Sequence, residues 1–225
     1  RFHGRGSLDA RAVAILREQS ERDPLTHAYN KRALALHGAQ AVRRARHAGE
    51  PLSVAVLDID LFKRINDDPA LGHSGGDHVL REVARVVSAQ LTRSYDLLAR
   101  FGGEEFVVVL VDSDPTHAAR VAERIREAVA GTPIDYGDRR LHVTVSIGVA
   151  SLGGCRTEWE HLFQAADAAM YAAKQAGRNC TFLHDGAKIQ RQSPMTADES
   201  AAFDSAVLAE KARHELDEAE AATAG

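Results

Sequence analysis

The chain has 225 residues, 44% of them hydrophobic and 27% charged, with a formal net charge of −4, and its pI near 6.3 gives no support to a basic nucleic-acid-binding surface. Its two cysteines, Cys155 and Cys180, cannot build a disulfide framework and form no Cys-x-x-Cys metal pair, so they read as the reduced thiols of a cytoplasmic protein. No run of about 18 apolar residues occurs to span a membrane; the first residue is Arg1 rather than methionine, so the chain is expected to be a piece of a longer one.

In chain order, Leu8, Ala12, Ile15 and Leu16 share one helical face, which predicts a short connector helix within residues 1–22 leading from an upstream domain. Ala28 to His47 reads as a helix ended by Gly49 and Pro51, and Leu52–Asp58 as a short apolar, β-branched strand. A helix is expected over Gly76–Leu91, where Val79, Leu80, Val83, Val86 and Val87 recur at helical spacing. Leu97–Phe101 and Phe106–Val111 are strands of one hairpin, followed by a helix at Pro115–Val129, a strand at Leu141–Ala150 and a helix at Glu158–Ala176. The alternation predicts an α/β (α+β) fold: a mixed, mainly antiparallel central sheet flanked by helices, with a split β-α-β-β-α-β unit at its centre. Residues 184–225 hold nine acids and four bases, a net of −5, and are broken by Pro194; residues 183–225 are expected to be an acidic tail, partly helical or disordered.

Two acidic groups carry the chemistry. Gly102 and Gly103 suit a type I′ turn that needs φ > 0 at both central positions, and Glu104 and Glu105 follow directly. Val54, Val56 and Asp58 alternate with their neighbours, so the apolar strand ends by presenting Asp58, then Ile59 and Asp60. Carboxylates at the ends of buried strands are costly unless a cation pairs with them. Two of them with a main-chain carbonyl make a hard oxygen site suited to Mg²⁺, which in turn takes phosphate oxygens.

Residues 102–106, Gly-Gly-Glu-Glu-Phe, resemble the signature of the GGDEF family, the diguanylate cyclases. Six further matches occur: Asp23-Pro-Leu-Thr26, Asp58-Ile-Asp60, Phe62-Lys63-x-x-Asn66-Asp67, Gly72-His73-x-x-Gly76-Asp77, Ser146-Ile-Gly-Val149 and Lys174-x-x-Gly-Arg178-Asn179. The resemblance covers residues 22–182, about seven tenths of the chain, and implies a cyclase domain at 23–182 with a nucleotidyl-cyclase or polymerase-palm-like fold. It implies condensation of two GTP into cyclic di-GMP and two pyrophosphates by a homodimer, with two Mg²⁺ per active site and Mn²⁺ as an alternative. By the same resemblance, Asp58, the Ile59 carbonyl and Glu104 are the metal ligands, and Glu105 the second catalytic acid. Lys63 stabilises charge on the triphosphate, Lys174 and Arg178 grip its β- and γ-phosphates, and Asn66 and Asp77 read guanine, with His73 and Phe62 nearby.

The base choice has a chemical reason. A carboxylate accepts from guanine N1–H and the exocyclic amine together, whereas adenine leaves that acceptor unpaired; sites built so discriminate by roughly 10⁴-fold. Lys174 and Arg178, four apart, are expected on one helix face. The stretch between Asn66 and Gly72, Asp-Asp-Pro-Ala-Leu, is two residues longer than the family's usual spacing, which bears on where Asn66 sits relative to Asp77.

Arg93-Ser-Tyr-Asp96, separated from Gly102 by five residues, resembles the family's RxxD product-inhibition motif, and Arg124 a second arginine of that site. Six strand steps from Asp96 to Gly102 span roughly 20 Å, so this second site is distinct from the first. The absence of a Gly-x4-Gly-Lys-Ser/Thr loop argues against a P-loop NTPase, and the histidines show no metal spacing. The alternative reading is a non-catalytic receptor for cyclic di-GMP or GTP.

Overall fold

The computed structural model describes residues 20–153 and 157–196 and, beyond them, residues 198, 199, 201–203, 205 and 209. The expected connector helix lies outside the described residues, except for a helical turn at 20–21.

Among the described residues the named elements follow one another as α1 Lys31–Ala48, β1 Leu52–Ile59, α2 Phe62–Asp67, α3 Gly72–Gln90, β2 Leu97–Gly102, β3 Glu105–Val111, α4 Pro115–Gly131, β4 Ile134–Tyr136, β5 Arg139–Leu141, β6 Val145–Ser151, α5 Trp159–Gln175, β7 Thr181–His184 and β8 Ile189–Arg191. Six strands form one sheet in the order β2-β3-β1-β6-β7-β8, antiparallel throughout except for the parallel β6–β7 pair. This is the mixed, mainly antiparallel sheet that the sequence predicts. A separate hairpin, β4–β5, stands where the sequence reading has the strand at Leu141–Ala150 begin. The short helix α2 and the strands β7 and β8 were not predicted, being too short for a period to register.

β1 is buried along its whole length because helices cover both sheet faces, which explains its unbroken apolar run. Ala55, Leu57 and Ile59 face one core, shared with Phe106 and Val108 of β3, Val83 of α3 and Ile125 of α4. Val54 and Val56 face the other, shared with Val107 and Val109 of β3, Leu34 of α1 and Met170 of α5. By the period of two, Asp58 and Glu105 belong to the second face, the one covered by α5.

Glycines let the covering elements come close. A Cβ at Gly148 of β6 would stand 2.0 Å from the Met170 backbone nitrogen and 2.1 Å from the Ala166 carbonyl, so α5 lies directly on β6. α1 starts at Asn30, whose side chain accepts from the Ala33 N–H at 3.0 Å, and ends at Gly49 with φ +71. α4 starts at Asp114, which accepts from His117 N–H at 2.8 Å, with Pro115 in its first turn.

The sheet continues past residue 182 through β7 and β8. Beyond it, Thr196 and Glu199 bond each other reciprocally, the Glu199 carboxylate accepting from Thr196 N–H at 2.9 Å and the Thr196 hydroxyl from Glu199 N–H at 3.3 Å, which caps the helical residues that follow. Phe203, 6% exposed, joins the α3–α4 core. Its ring lies 5.6 Å from His117 and 5.0 Å from the Arg124 guanidinium. No helix among the described residues is long and apolar enough to cross a membrane.

Candidate active site

The β2–β3 connection is built on Gly103 and Glu104. Gly103 has φ +46, but neither Gly102 nor Glu104 is in the positive region. The turn is therefore not the type I′ expected from Gly-Gly, because β2 runs one residue further and takes Gly102 into the strand, opposite Glu105. Arg100 holds the turn from below, donating to the Gly103 carbonyl through Nε at 3.1 Å and Nη2 at 2.8 Å. The same guanidinium pairs with Asp23 at 3.2 Å. Asp23 also accepts from Thr26 N–H at 2.9 Å and its hydroxyl at 2.8 Å. Burial pushes the Asp23 carboxyl up, but these bonds outweigh it and the net direction is down. Asp23 and Thr26 are thus the anchor of the hairpin tip, a role the sequence does not reveal.

Register then assembles the acids. Asp58 is paired with Glu105 across β1–β3, and Ile59 N–H donates to the Glu104 carbonyl at 3.3 Å. Asp58, Ile59, Glu104 and Glu105 therefore meet at one sheet end. Ala166, Met170 and Lys174 recur every fourth residue on α5, and the first two are buried against the sheet. The same face brings Lys174 Nζ to 2.7 Å from Asp58 Oδ2. Burial raises the Asp58 carboxyl to about 6, opposed by Lys174 and reinforced by Glu104 and Glu105. Glu105 is also raised, first by burial, then by Asp167, against the pull of Lys174 and Lys31.

Such a site is short of positive charge. Asp58 is 5% exposed, and its pairing with an ammonium shows the sign of ligand that the position takes. Two carboxylates and a main-chain carbonyl are hard oxygen donors that fit Mg²⁺. Among the described residues no three or more His, Cys, Asp or Glu side chains close into a metal cage. A cation here would therefore draw its other ligands from phosphate and water.

Around this centre, Phe62 is buried and Lys63 exposed at the start of α2. Asn66 lies against the first turns of α3: a Cβ at Gly76 would come within 2.0 Å of Asn66 Oδ1. The two extra residues before Gly72 thus leave Asn66 against Gly76, the residue before Asp77. They are absorbed by a turn in which Asp68 accepts from Ala70 N–H at 2.8 Å and pairs with Arg139 at 2.9 Å. Asp77 and His73 are exposed on the same turns of α3. Arg178 does not share a helix face with Lys174, because α5 ends at Gln175; it lies in the turn beyond, with φ +67.

Arg93 and Asp96 sit at the opposite end of the hairpin. Arg93 Nη1 donates to the carbonyls of Val111 at 3.0 Å and Asp112 at 2.7 Å, and Asp96 accepts from Val111 N–H at 3.2 Å. Arg124 of α4 donates to the Gln90 carbonyl at the end of α3, three residues before Arg93. A groove of about 1250 Å³ opens at this end, lined among others by Arg44, Arg85, Arg93, Tyr95 and Asp96.

The sequence places Asp60 beside Asp58 but gives it no role of its own. It is 7% exposed and accepts three hydrogen bonds, from the Ser146 and Thr144 hydroxyls at 2.6 Å each and from Asn179 N–H at 3.0 Å. Those bonds occupy the carboxylate, so Asp60 braces the site. Its alternation with Asp58 and the hydroxyls at Thr144 and Ser146 were the available signals.

Comparison with known proteins agrees with this geometry. Residues 20–180 match the family model described as diguanylate cyclase, GGDEF domain. The response regulator PleD of Caulobacter vibrioides is 43% identical over 164 residues, covering 72% of this chain and 36% of that protein. Diguanylate cyclase DgcP of Pseudomonas aeruginosa is 42% identical over 163 residues, covering 72% and 24% respectively. The chain therefore spans about a third or less of the length of these curated relatives. Among solved structures, the coiled coil and GGDEF domain of DgcB from Caulobacter crescentus in complex with c-di-GMP superposes with a TM-score of 0.72 at 29% identity, over 79% of this chain and 92% of that one. The active GGEEF domain of a diguanylate cyclase from Vibrio cholerae gives 0.65 at 33% identity, over 70% and 98%.

Proposed function

The chain belongs to the GGDEF family, and from that membership we propose that it is a diguanylate cyclase, condensing two GTP into cyclic di-GMP and two pyrophosphates. The observation that carries this reading is the convergence of Asp58, Glu104 and Glu105, with Lys174, at the end of two buried strands. A domain that only bound nucleotide would have no use for desolvated carboxylates of raised pKa, so the receptor reading is the weaker one.

Asp58, the Ile59 carbonyl and Glu104 are the groups that would hold Mg²⁺, two ions per site, with Mn²⁺ as an alternative. When bound, the metal supplies charge stabilisation at the α-phosphate and lowers the pKa of the attacking hydroxyl. In each bond-forming step the 3′-oxygen of one GTP attacks the α-phosphorus of the other. The α–β bridging P–O bond breaks, and pyrophosphate leaves with that electron pair. Glu105, whose pKa is raised by burial, takes the hydroxyl proton. Lys63, Lys174 and Arg178 balance charge on the β- and γ-phosphates, for which Lys174 exchanges Asp58 for phosphate. Asn66 and Asp77 read the guanine edge beside Phe62 and His73.

One such site holds one GTP, yet the product contains two reciprocal bonds. Two subunits must face each other with each hydroxyl about 3–3.5 Å from the other's α-phosphorus. The homodimer is thus the catalytic unit, and specific activity rises with protein concentration. The groove at Arg93 and Asp96, lined by both arginines and acids and with Arg124 close by, suits a guanine-bearing phosphodiester product and is the feedback site. The family's signalling role agrees with a bacterial cytoplasmic location.

The test is incubation with GTP and Mg²⁺, followed by chromatography for a cyclic dinucleotide and assay of pyrophosphate. Cyclic di-GMP at half, and pyrophosphate at the full, molar amount of the GTP consumed, both abolished by Glu104→Gln, is the expected result. GTP that binds and is recovered intact would leave the receptor reading.

A further inference from the structure

The segment Gly177-Arg178-Asn179 leaves α5 through three successive positive φ angles, +109, +67 and +44. Glycine adopts such angles freely and asparagine tolerates them, but arginine does so only when its surroundings hold it. Two anchors hold this turn, one on each side of Asn179. Its N–H donates to Asp60 at 3.0 Å, and Asp60 is itself fixed by Thr144 and Ser146 at the start of β6. Its side-chain Oδ1 accepts from Arg126 Nη1 of α4 at 3.0 Å. Arg126 has little freedom, since its guanidinium bonds Glu123, a buried carboxylate, at 2.9 Å and Glu127 at 3.2 Å. Cys180, the next residue, is buried and enters β7.

Because α5 stops at Gln175, helix geometry does not determine where the Arg178 side chain starts. We propose that Asn179 is a positioning residue, a strap tied to Asp60 through its backbone and to Arg126 through its side chain, which sets the turn that presents Arg178 to the triphosphate. This rests on the reading of Arg178 as a phosphate grip. The strap also joins the carboxylate strand β1 to α4, so metal-site and phosphate-site geometry share one brace.

Three variants separate the contributions. Asn179→Gly keeps the positive φ and removes the acceptor for Arg126; Asn179→Asp keeps an acceptor; Arg178→Ala removes the grip. Binding is measured calorimetrically with 3′-deoxy-GTP, which lacks the attacking hydroxyl and cannot be cyclised, and with GMP, which lacks the β- and γ-phosphates. Asn179→Gly should weaken 3′-deoxy-GTP about three- to tenfold, the worth of one net hydrogen bond, and leave GMP unchanged. Asn179→Asp should recover most of that loss, and Asn179→Gly should add nothing in an Arg178→Ala background. Equal weakening of GMP, or full additivity with Arg178→Ala, overturns the proposal. Amide hydrogen exchange over residues 177–180 reads the strap without reference to phosphate: Asn179→Gly should speed it and Asn179→Asp should not. Unchanged exchange also overturns the proposal, whereas faster exchange alongside an Arg178→Ala protein of undiminished affinity condemns only the phosphate-grip reading.

Discussion

The two ends of the β2–β3 hairpin carry the same kinds of residue and do opposite things with them. At the turn end, Asp58, Glu104 and Glu105 crowd together with Lys174 paired to Asp58, and burial drives Asp58 and Glu105 upward in pKa. At the far end, Arg93 and Asp96 bond the backbone of Val111 and Asp112, completing the exposed end of β3. Burial of charge at the turn end thus works against the fold, while charge at the far end supports it. The difference follows from where the chain puts protein donors: at the hairpin tip Arg100 holds the Gly103 carbonyl, and Lys174 reaches the Asp58 carboxylate.

The largest effect that would sharpen this contrast is at the turn end. On the proposed function, Asp58→Asn or Glu104→Gln should lower cyclic di-GMP formation roughly a thousandfold, the worth of several kcal/mol of charge stabilisation by the metal that these carboxylates would hold. Thermal melting should show both variants folded; a fully active Glu104→Gln protein would break the metal assignment.

At the far end, Arg93→Ala should cost product affinity on the order of ten- to a hundredfold while the initial rate persists. It also strips two backbone carbonyls of their donor, so a fall in Tm of about 2–4 °C should accompany it. Progress curves with added cyclic di-GMP, read beside melting curves, check both. Equal slowing of parent and variant would reduce this end to a purely structural role.

Proton competition comes next. Asp58 titrates near 6, above its ordinary 3.8, so the folded state binds its proton more tightly than the unfolded chain does. The stability this contributes is present below about pH 4 and lost as pH rises through about 6. Asp58→Asn, which does not titrate, should therefore gain on the order of 2–3 kcal/mol over the parent between those limits. In the parent, Mn²⁺ affinity should fall about tenfold from pH 7 to pH 5 as the proton displaces the metal. A flat affinity across that range would place the metal elsewhere.

The smallest effect is a control away from both ends. Asn30→Ala removes the N-cap of α1 and should cost about 1 kcal/mol with activity and feedback unchanged.

How much of this was legible depended on range along the chain. Gly-Gly-Glu-Glu, the apolar run ending at Asp58, and the alternation of helix and strand are local patterns, and each carries its physical cause within a few residues. They were enough for a mainly antiparallel sheet and for two acidic groups on neighbouring strands; the β1–β3 register, which puts Asp58 opposite Glu105, and the strands β7 and β8 came from the structure. What tertiary structure alone decided joins residues far apart in sequence: Lys174 against Asp58, Arg100 against Asp23, Asn179 between Asp60 and Arg126, and Phe203 against Arg124. No period or motif encodes such partners, because each depends on which helix covers which face and where that helix stops. Arg178 shows the limit most plainly. Its spacing from Lys174 suggested a shared helix face, and the left-handed turn that replaces that helix is held by side chains on two other elements.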